Sequence, residues 1–96
     1  MNPSPSVESA RHWRLVSRPG CGLCHELAEA LDAGFGPHAV QLEWVDVDSR
    51  ADWVERWGLL IPVLLDEAGK EVCITRFDAE RVAAALGCGV PAPRTR

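Results

Sequence analysis

The chain has no tyrosine, two phenylalanines and one methionine among its 96 residues. It also has no apolar run near the ~18–20 residues that a membrane helix needs. Nor is there a basic cluster. Ten Lys and Arg are scattered against 14 Asp and Glu, for a net charge of −4, so the electrostatic footprint of a nucleic-acid binder is missing. The opening segment, Met1 to Ala10, is polar and proline-bearing, with no apolar stretch of signal-peptide type. No segment repeats. These absences predict a cytoplasmic, reduced protein with no nucleic-acid and no membrane partner.

What is present fits one small α/β domain. The composition is 47% hydrophobic, enough for a modest core and too much for a disordered chain. Of four cysteines, two stand together as Cys21-Gly22-Leu23-Cys24. In a reducing compartment such a pair reads as catalytic or metal-binding rather than as a structural staple.

The surroundings of the pair say more. A short apolar run, Trp13 to Val16, precedes it, and Pro19-Gly20 makes a turn. Leu23, Leu27, Ala30 and Leu31 then recur at helical spacing, on one predicted face. The cysteines therefore sit where a strand ends and a helix begins. The first amides of a helix lack intrahelical partners and the helix dipole is positive there, so a thiolate at Cys21 is stabilised. Arg18, three residues upstream, adds positive charge. Cys24 is one helical turn further on, which allows Cα atoms within the disulfide window of ~4.4–6.8 Å.

Taken in order, the rest of the chain alternates. The sequence predicts a mobile tail over residues 1–11, a domain over 12–87 and a loose tail over 88–96. Strand one is Trp13 to Ser17, and helix one runs from Cys21 to about Gly34. Val40 to Asp48 is a second strand with a shift of face near Trp44. Ser49-Arg50-Ala51-Asp52 has the form of a capping box for a short helix, with Trp53, Val54 and Trp57 as its apolar side and Gly58 as its stop. Leu59 to Leu65 and Lys70 to Thr75 form a hairpin around Asp66-Glu67-Ala68-Gly69, with Val72 and Ile74 on one face. Asp78 caps a last helix ending at Gly87, with Val82, Ala85 and Leu86 inward. The order is β-α-β-α-β-β-α. The four tryptophans read as core or helix–sheet packing, Asp46 and Asp48 as loop or cap residues, and Cys73 and Cys88 as structural or incidental.

Three chemistries compete for the C-x-x-C pair. Zinc needs about four ligands, usually a second C-x-x-C or a histidine pair. Cys73, Cys88, His12, His25 and His38 show no such spacing, so no metal is expected. Cys21-Gly22-Leu23-Cys24-His25 also spells the attachment motif of c-type haem. The reduced setting, the lack of any methionine beyond Met1 and the strand-turn-helix context argue against it, and leave His25 as an exposed first-turn residue. Thiol redox chemistry remains the reading favoured.

The run Val16-Ser17-Arg18-Pro19-Gly20-Cys21-Gly22-Leu23-Cys24, with Trp57-Gly58-Leu59-Leu60-Ile61-Pro62-Val63-Leu64 later, resembles glutaredoxin-like proteins of the thioredoxin superfamily. The resemblance spans about Arg14 to Leu86. It implies a minimal thioredoxin-like fold: a four-stranded mixed sheet flanked by three helices. It implies a thiol-disulfide oxidoreductase with Cys21 and Cys24 catalytic, and a cis Pro62 beside them with the Ile61 backbone pairing with substrate. Arg18 stands where glutaredoxins carry a lysine that binds a glutathione carboxylate. Asp78 falls where a Gly-Gly and acidic stretch holds the γ-glutamyl end, although here the stretch is Thr75-Arg76-Phe77-Asp78, without the glycines. Gly22-Leu23 replaces the usual Pro-Tyr. The implied partners are a disulfide-containing protein or glutathione, with glutathione or a reductase returning electrons and no permanently bound cofactor. The alternative it implies is a non-catalytic binding module, or an iron–sulfur carrier using Cys21.

Overall fold

The computed structural model describes residues 11–89. The expected tails fall outside these residues except at Arg11, which opens the first strand, and at Cys88 and Gly89. The elements are β1 (Arg11–Ser17), α1 (Gly22–Phe35), β2 (Val40–Asp46), a 3-10 turn (Val47–Ser49), α2 (Ala51–Trp57), β3 (Val63–Leu65), β4 (Glu71–Ile74) and α3 (Ala79–Leu86). The four strands form one mixed sheet in the order β2-β1-β3-β4. β1 runs parallel to β2 and antiparallel to β3, and β3 runs antiparallel to β4. This is the expected small thioredoxin-like α/β fold, with three helices on a four-stranded sheet.

Alternation along β1 divides the core between the two faces of the sheet. Trp13 and Leu15 point to one side, where they meet Cys24, Leu27 and Leu31 of α1 and Val82 of α3. Val16 points to the other, where it meets Val47, Val63, Leu65 and Trp57 of α2. The layers are thus α1 and α3, the sheet, then α2. Both fully or nearly buried indoles have a partner: Trp13 Nε1 donates to Glu67 at 2.6 Å and Trp57 Nε1 to Glu71 at 2.6 Å. The Trp13 contact ties the central strand to the β3–β4 turn, and together with Arg11 it holds the Glu67 carboxyl below the ordinary range, where the largest cause is its own backbone amide.

Several local expectations are corrected. The helical stripe of α1 is Cys24, Leu27 and Leu31, and Leu23, one residue before Cys24, instead lines a surface groove and is 54% exposed. β2 stops at Asp46, and the shift of face near Trp44 is the edge strand using both faces: Val40 and Leu42 join one cluster, Val45 and Val47 the other. Trp44 itself is exposed, not core. The capping box does not form. Arg50 is the N-cap without a side-chain bond, and Ser49 Oγ donates to the Asp46 carbonyl while Asp52 pairs with Arg50. Val54 is exposed. Leu59 and Leu60 lie in a loop rather than in β3, with Leu59 98% exposed.

β4 carries a bulge. Leu65 pairs with Glu71 and Leu64 with Cys73, so Val72 is the extra residue. Val72 and Cys73 are consequently both in the α1 and α3 cluster, while Ile74, opposite Val63, faces away and is part-exposed. The expected sharing of one face by Val72 and Ile74 fails for that reason. α3 ends as expected: Gly87 is left-handed at φ 74°, Cys88 N donates to the Ala83 carbonyl and Gly87 N to that of Ala84.

Leu64 is fully buried at the centre of the sheet, whereas Leu59 touches water almost throughout. Leu64→Ala should cost ~2–5 kcal/mol in urea denaturation, and Leu59→Ala about 0.5 kcal/mol or less.

Candidate functional site

The end of β1 passes into α1 through a four-residue turn. Cys21 N donates to the Arg18 carbonyl at 3.2 Å, Pro19 is the second residue, and Gly20 is the third with φ 79°. That arrangement has the signature of a type II turn, whose third position favours glycine. It delivers Cys21 as the N-cap of α1 in extended conformation. Cys21 Sγ accepts a hydrogen bond from Cys24 N at 3.1 Å, so the sulfur occupies the place that a capping oxygen takes in other helices. Cys21 and Cys24 are joined as a disulfide with Cα atoms 5.3 Å apart. The two are unlike in setting. Cys24 is 0% exposed and belongs to the core cluster, whereas Cys21 is half-buried at its edge. The pair is a thiol-redox-type module, with one cysteine half-buried and the other fully shielded.

Arg18 is held in place by a clamp that the sequence did not suggest. Its guanidinium reaches Asp48 with both teeth, Nε to Oδ2 at 2.9 Å and Nη2 to Oδ1 at 3.0 Å, and Nη1 donates to the Gly58 carbonyl at 3.3 Å. The cysteine turn, the turn after β2 and the end of α2 are thereby joined at one residue. Gly58 is suited to the junction, because a Cβ there would stand 2.5 Å from the Val54 carbonyl oxygen. The hydrogen bond to Asp48 raises the Arg18 pKa and the same bond holds the Asp48 carboxyl below its ordinary range. A clue lay in the topology. Parallel β1 and β2 pair Ser17 with Asp46, so the residues just beyond both carboxyl ends, Arg18 and Asp48, emerge side by side.

The second segment stands across the turn from the cysteines. Val16 faces Val63 in the antiparallel register, and continuing it brings Pro62 and Ile61 abreast of Ser17 and Arg18. The Ile61–Pro62 bond is cis, and Pro62 is buried. Thr75, just after β4, has φ 71°, a left-handed conformation that costs a β-branched residue ~1–3 kcal/mol. Its amide donates to the Pro62 carbonyl at 2.7 Å and its hydroxyl to the Leu60 carbonyl at 2.8 Å. The stretch in which the resemblance expects glycines is thus a positive-φ position filled by threonine. That expectation was the one signal in the sequence for Thr75. A groove lined by Leu23, Glu26, Leu27, Ala30, Thr75, Arg76 and Phe77 runs from here along α1.

Asp78 does what its place at a helix start requires. Oδ1 accepts from the amides of Glu80 at 3.1 Å and Arg81 at 3.2 Å, capping α3. Its own amide donates to Cys73 Sγ at 3.4 Å, and burial pushes that thiol up. Cys73 is therefore buried packing, and Cys88 is exposed beyond α3. His25 lies against Trp44, ring centroids 4.9 Å apart, on the opposite side of α1 from the groove residues Glu26 and Ala30. Among the described residues no group of three or more His, Cys, Asp or Glu is placed to hold a metal ion, and no helix is long and apolar enough to cross a membrane.

Because Arg18 depresses the Asp48 carboxyl, the pair stabilises the fold above the unfolded carboxylate range near pH ~4, and that stabilisation is lost as pH falls through the folded value. Asp48→Asn should lower the midpoint of thermal unfolding by a few degrees at pH 7, as befits an exposed pair, and should flatten its decline below pH ~4. Melting curves of the two proteins across that range check both.

Comparison with known proteins fits this geometry. A search of the curated proteins finds no match. Among solved structures, the chain resembles protein Ne2328 from Nitrosomonas europaea, solved by NMR, at a TM-score of 0.67 and 22% identity, covering 88% of this chain and 96% of that one. It resembles the structural-genomics target XcR50 from X. campestris, solved by X-ray methods, at a TM-score of 0.62 and 35% identity, covering 78% of this chain and 95% of that one. The family model described as glutaredoxin-like domain (DUF836) matches residues 13–87, which takes in the cysteine turn, Ile61-Pro62 and α3. The chain belongs to the glutaredoxin-like family.

Proposed function

We propose that the protein is a thiol-disulfide oxidoreductase that reduces disulfides in partner proteins, or glutathione mixed disulfides, through Cys21 and Cys24. The observation that carries this reading is the asymmetry of the pair: Cys21 is half-buried at the helix N-cap and Cys24 is fully buried beneath it. An attacking sulfur must reach its target and a resolving sulfur need only reach the first, so the difference in exposure supports Cys21 as the attacking and Cys24 as the resolving residue.

In the reduced protein Cys21 is a thiolate favoured by the first-turn amides, among them that of Cys24, and by the helix dipole. It attacks one sulfur of the partner disulfide, and the other partner sulfur leaves as a thiolate. Cys24 then gives up its proton and attacks Cys21 Sγ, forming the Cys21–Cys24 bond and expelling the second partner thiolate. Two electrons have passed from the dithiol to the partner. Glutathione or a thioredoxin-reductase-type partner, with two electrons of its own, restores the dithiol. Arg18 acts by holding the turn, since its fork is engaged by Asp48 and Gly58. Ile61 and Pro62 flank the route by which a substrate segment reaches Cys21. The family membership and the placement of both cysteines support this chemistry.

Cys21→Ser should abolish turnover of a model protein disulfide. Cys24→Ser should instead accumulate a covalent mixed disulfide at Cys21, detected as an added partner mass that reductant removes. Full activity in Cys21→Ser would contradict the mechanism.

A further inference from the structure

We infer that β2 is the surface through which two copies of this chain pair, antiparallel and edge to edge, about a two-fold axis at Leu42. The surface lies apart from the cysteine pair, and the inference does not rest on the thiol-disulfide reading.

The two edges of the sheet are unlike. β4 is guarded: it has four residues and a bulge at Val72, and shortness and bulging both discourage a further strand. β2 has seven residues in unbroken register with β1, and it contains no proline, glycine or lysine. It ends the sheet, and among the described residues β1 is the only strand it pairs with. Alternate residues of such a strand turn both amide and carbonyl outward, so Val40 to Val45 present a row open to another strand. The charge that would guard this row, Glu43, is drawn back to Arg14 of β1 at 3.4 Å. Trp44, 43% exposed, is steadied from the α1 side by His25.

A second copy fits the row because the strand is self-complementary. In an antiparallel pair of identical strands the axis passes through a residue that faces itself, and the period of two keeps each face with its like. Three registers keep five or more strand residues paired, with the axis at Leu42, Glu43 or Trp44. With the axis at Leu42, that residue faces its own copy, Val40 faces Trp44 of the second copy and Gln41 faces its Glu43. The first two pairs lie on the α1 face, where Val40 and Leu42 join the core cluster and Trp44 meets His25. The third sets an amide against a carboxylate on the α2 face. An axis at Glu43 would oppose two carboxylates and set Val40 against Asp46. An axis at Trp44 would set Leu42 against Asp46 and Val45 against Glu43. Like charges face to face, and apolar side chains against charges, disfavour both. The cysteine turns stay open, since each follows the carboxyl end of β1, beside that of β2, and antiparallel pairing sends these ends to opposite ends of the doubled sheet.

Sedimentation of the full chain from about 5 µM to 1 mM tests this, with reductant present so that exposed Cys88 cannot join two chains. One strand per copy makes a small contact, so a reversible dimer with a midpoint on the order of 100 µM is expected. Hydrogen exchange should slow in β2, and not in β4, as the dimer forms. Gln41 is exposed and its side chain has no hydrogen bond among the described residues, so it can be exchanged without unfolding the chain. Gln41→Lys places an opposite charge across from each Glu43 and should tighten association about fivefold, whereas Gln41→Glu places a like charge there and should weaken it about fivefold. The same charge changes at exposed positions on the β4 side of the sheet, Glu80→Gln and Lys70→Gln, should shift it by less than about twofold. A single monomeric species across the whole range, protection that falls outside β2, equal shifts from the control substitutions, or two Gln41 variants that shift in the same direction would overturn the inference. None of these results bears on the thiol chemistry.

Discussion

The structure depends on Cys24 being a member of the core and of the reactive pair at once. Its side chain lies among Trp13, Leu15, Leu64 and Val82, so the sulfur is fixed by the same apolar packing that joins α1 to the sheet. One turn back, Cys21 is carried to the surface by the helix start. The bond between them therefore joins a rigid interior to an open edge. Cys24 thus has apolar surroundings and Cys21 the amides of the helix start, two unlike environments within one helical turn.

Around that pair, three loops are bound together by groups that the packing alone would leave loose. Arg18 links the cysteine turn to Asp48 and to Gly58 at the end of α2. Thr75 links the end of β4 to the Leu60–Pro62 segment. Each clamp is a charge-assisted or short hydrogen bond between residues far apart in sequence. The Leu59-Leu60 loop, left outside the sheet, exposes apolar surface, as does Leu23 between the cysteines.

Much of this was legible in the sequence, and the reasons are specific. Strand β1, helix α1 and the turn between them follow from Pro19-Gly20 and from helical spacing at Leu27 and Leu31, both local signals. The αL stop at Gly87 and the Asp78 cap were readable because capping is a contact within one turn. What the letters did not yield depends on competing or distant partners. Ser49 turns back to the Asp46 carbonyl and Asp52 pairs with Arg50, so the capping box does not close. The bulge at Val72 comes from pairing with β3, and it moved a valine from one face to the other. Arg18 reads as a ligand-binding cation until the parallel register brings Asp48 beside it. Leu23 fits the helical stripe in sequence, yet it opens onto the surface groove while its neighbour Cys24 takes the buried place. The same division holds at the site: the identity of the sulfurs is local and was visible, and the residues that hold the loops around them are not.

The central claim is that Cys21 and Cys24 form a reversible two-electron couple. The most direct measurement is intact mass with cysteine mapping after equilibration across a graded series of glutathione redox buffers. The account predicts one sharp loss of two mass units mapped to Cys21–Cys24, reversed on return to reducing buffer, with a glutathione adduct, if any forms, on Cys21 rather than on buried Cys24 or Cys73. A pair that stays reduced across the whole series, or adducts confined to exposed Cys88, would contradict it.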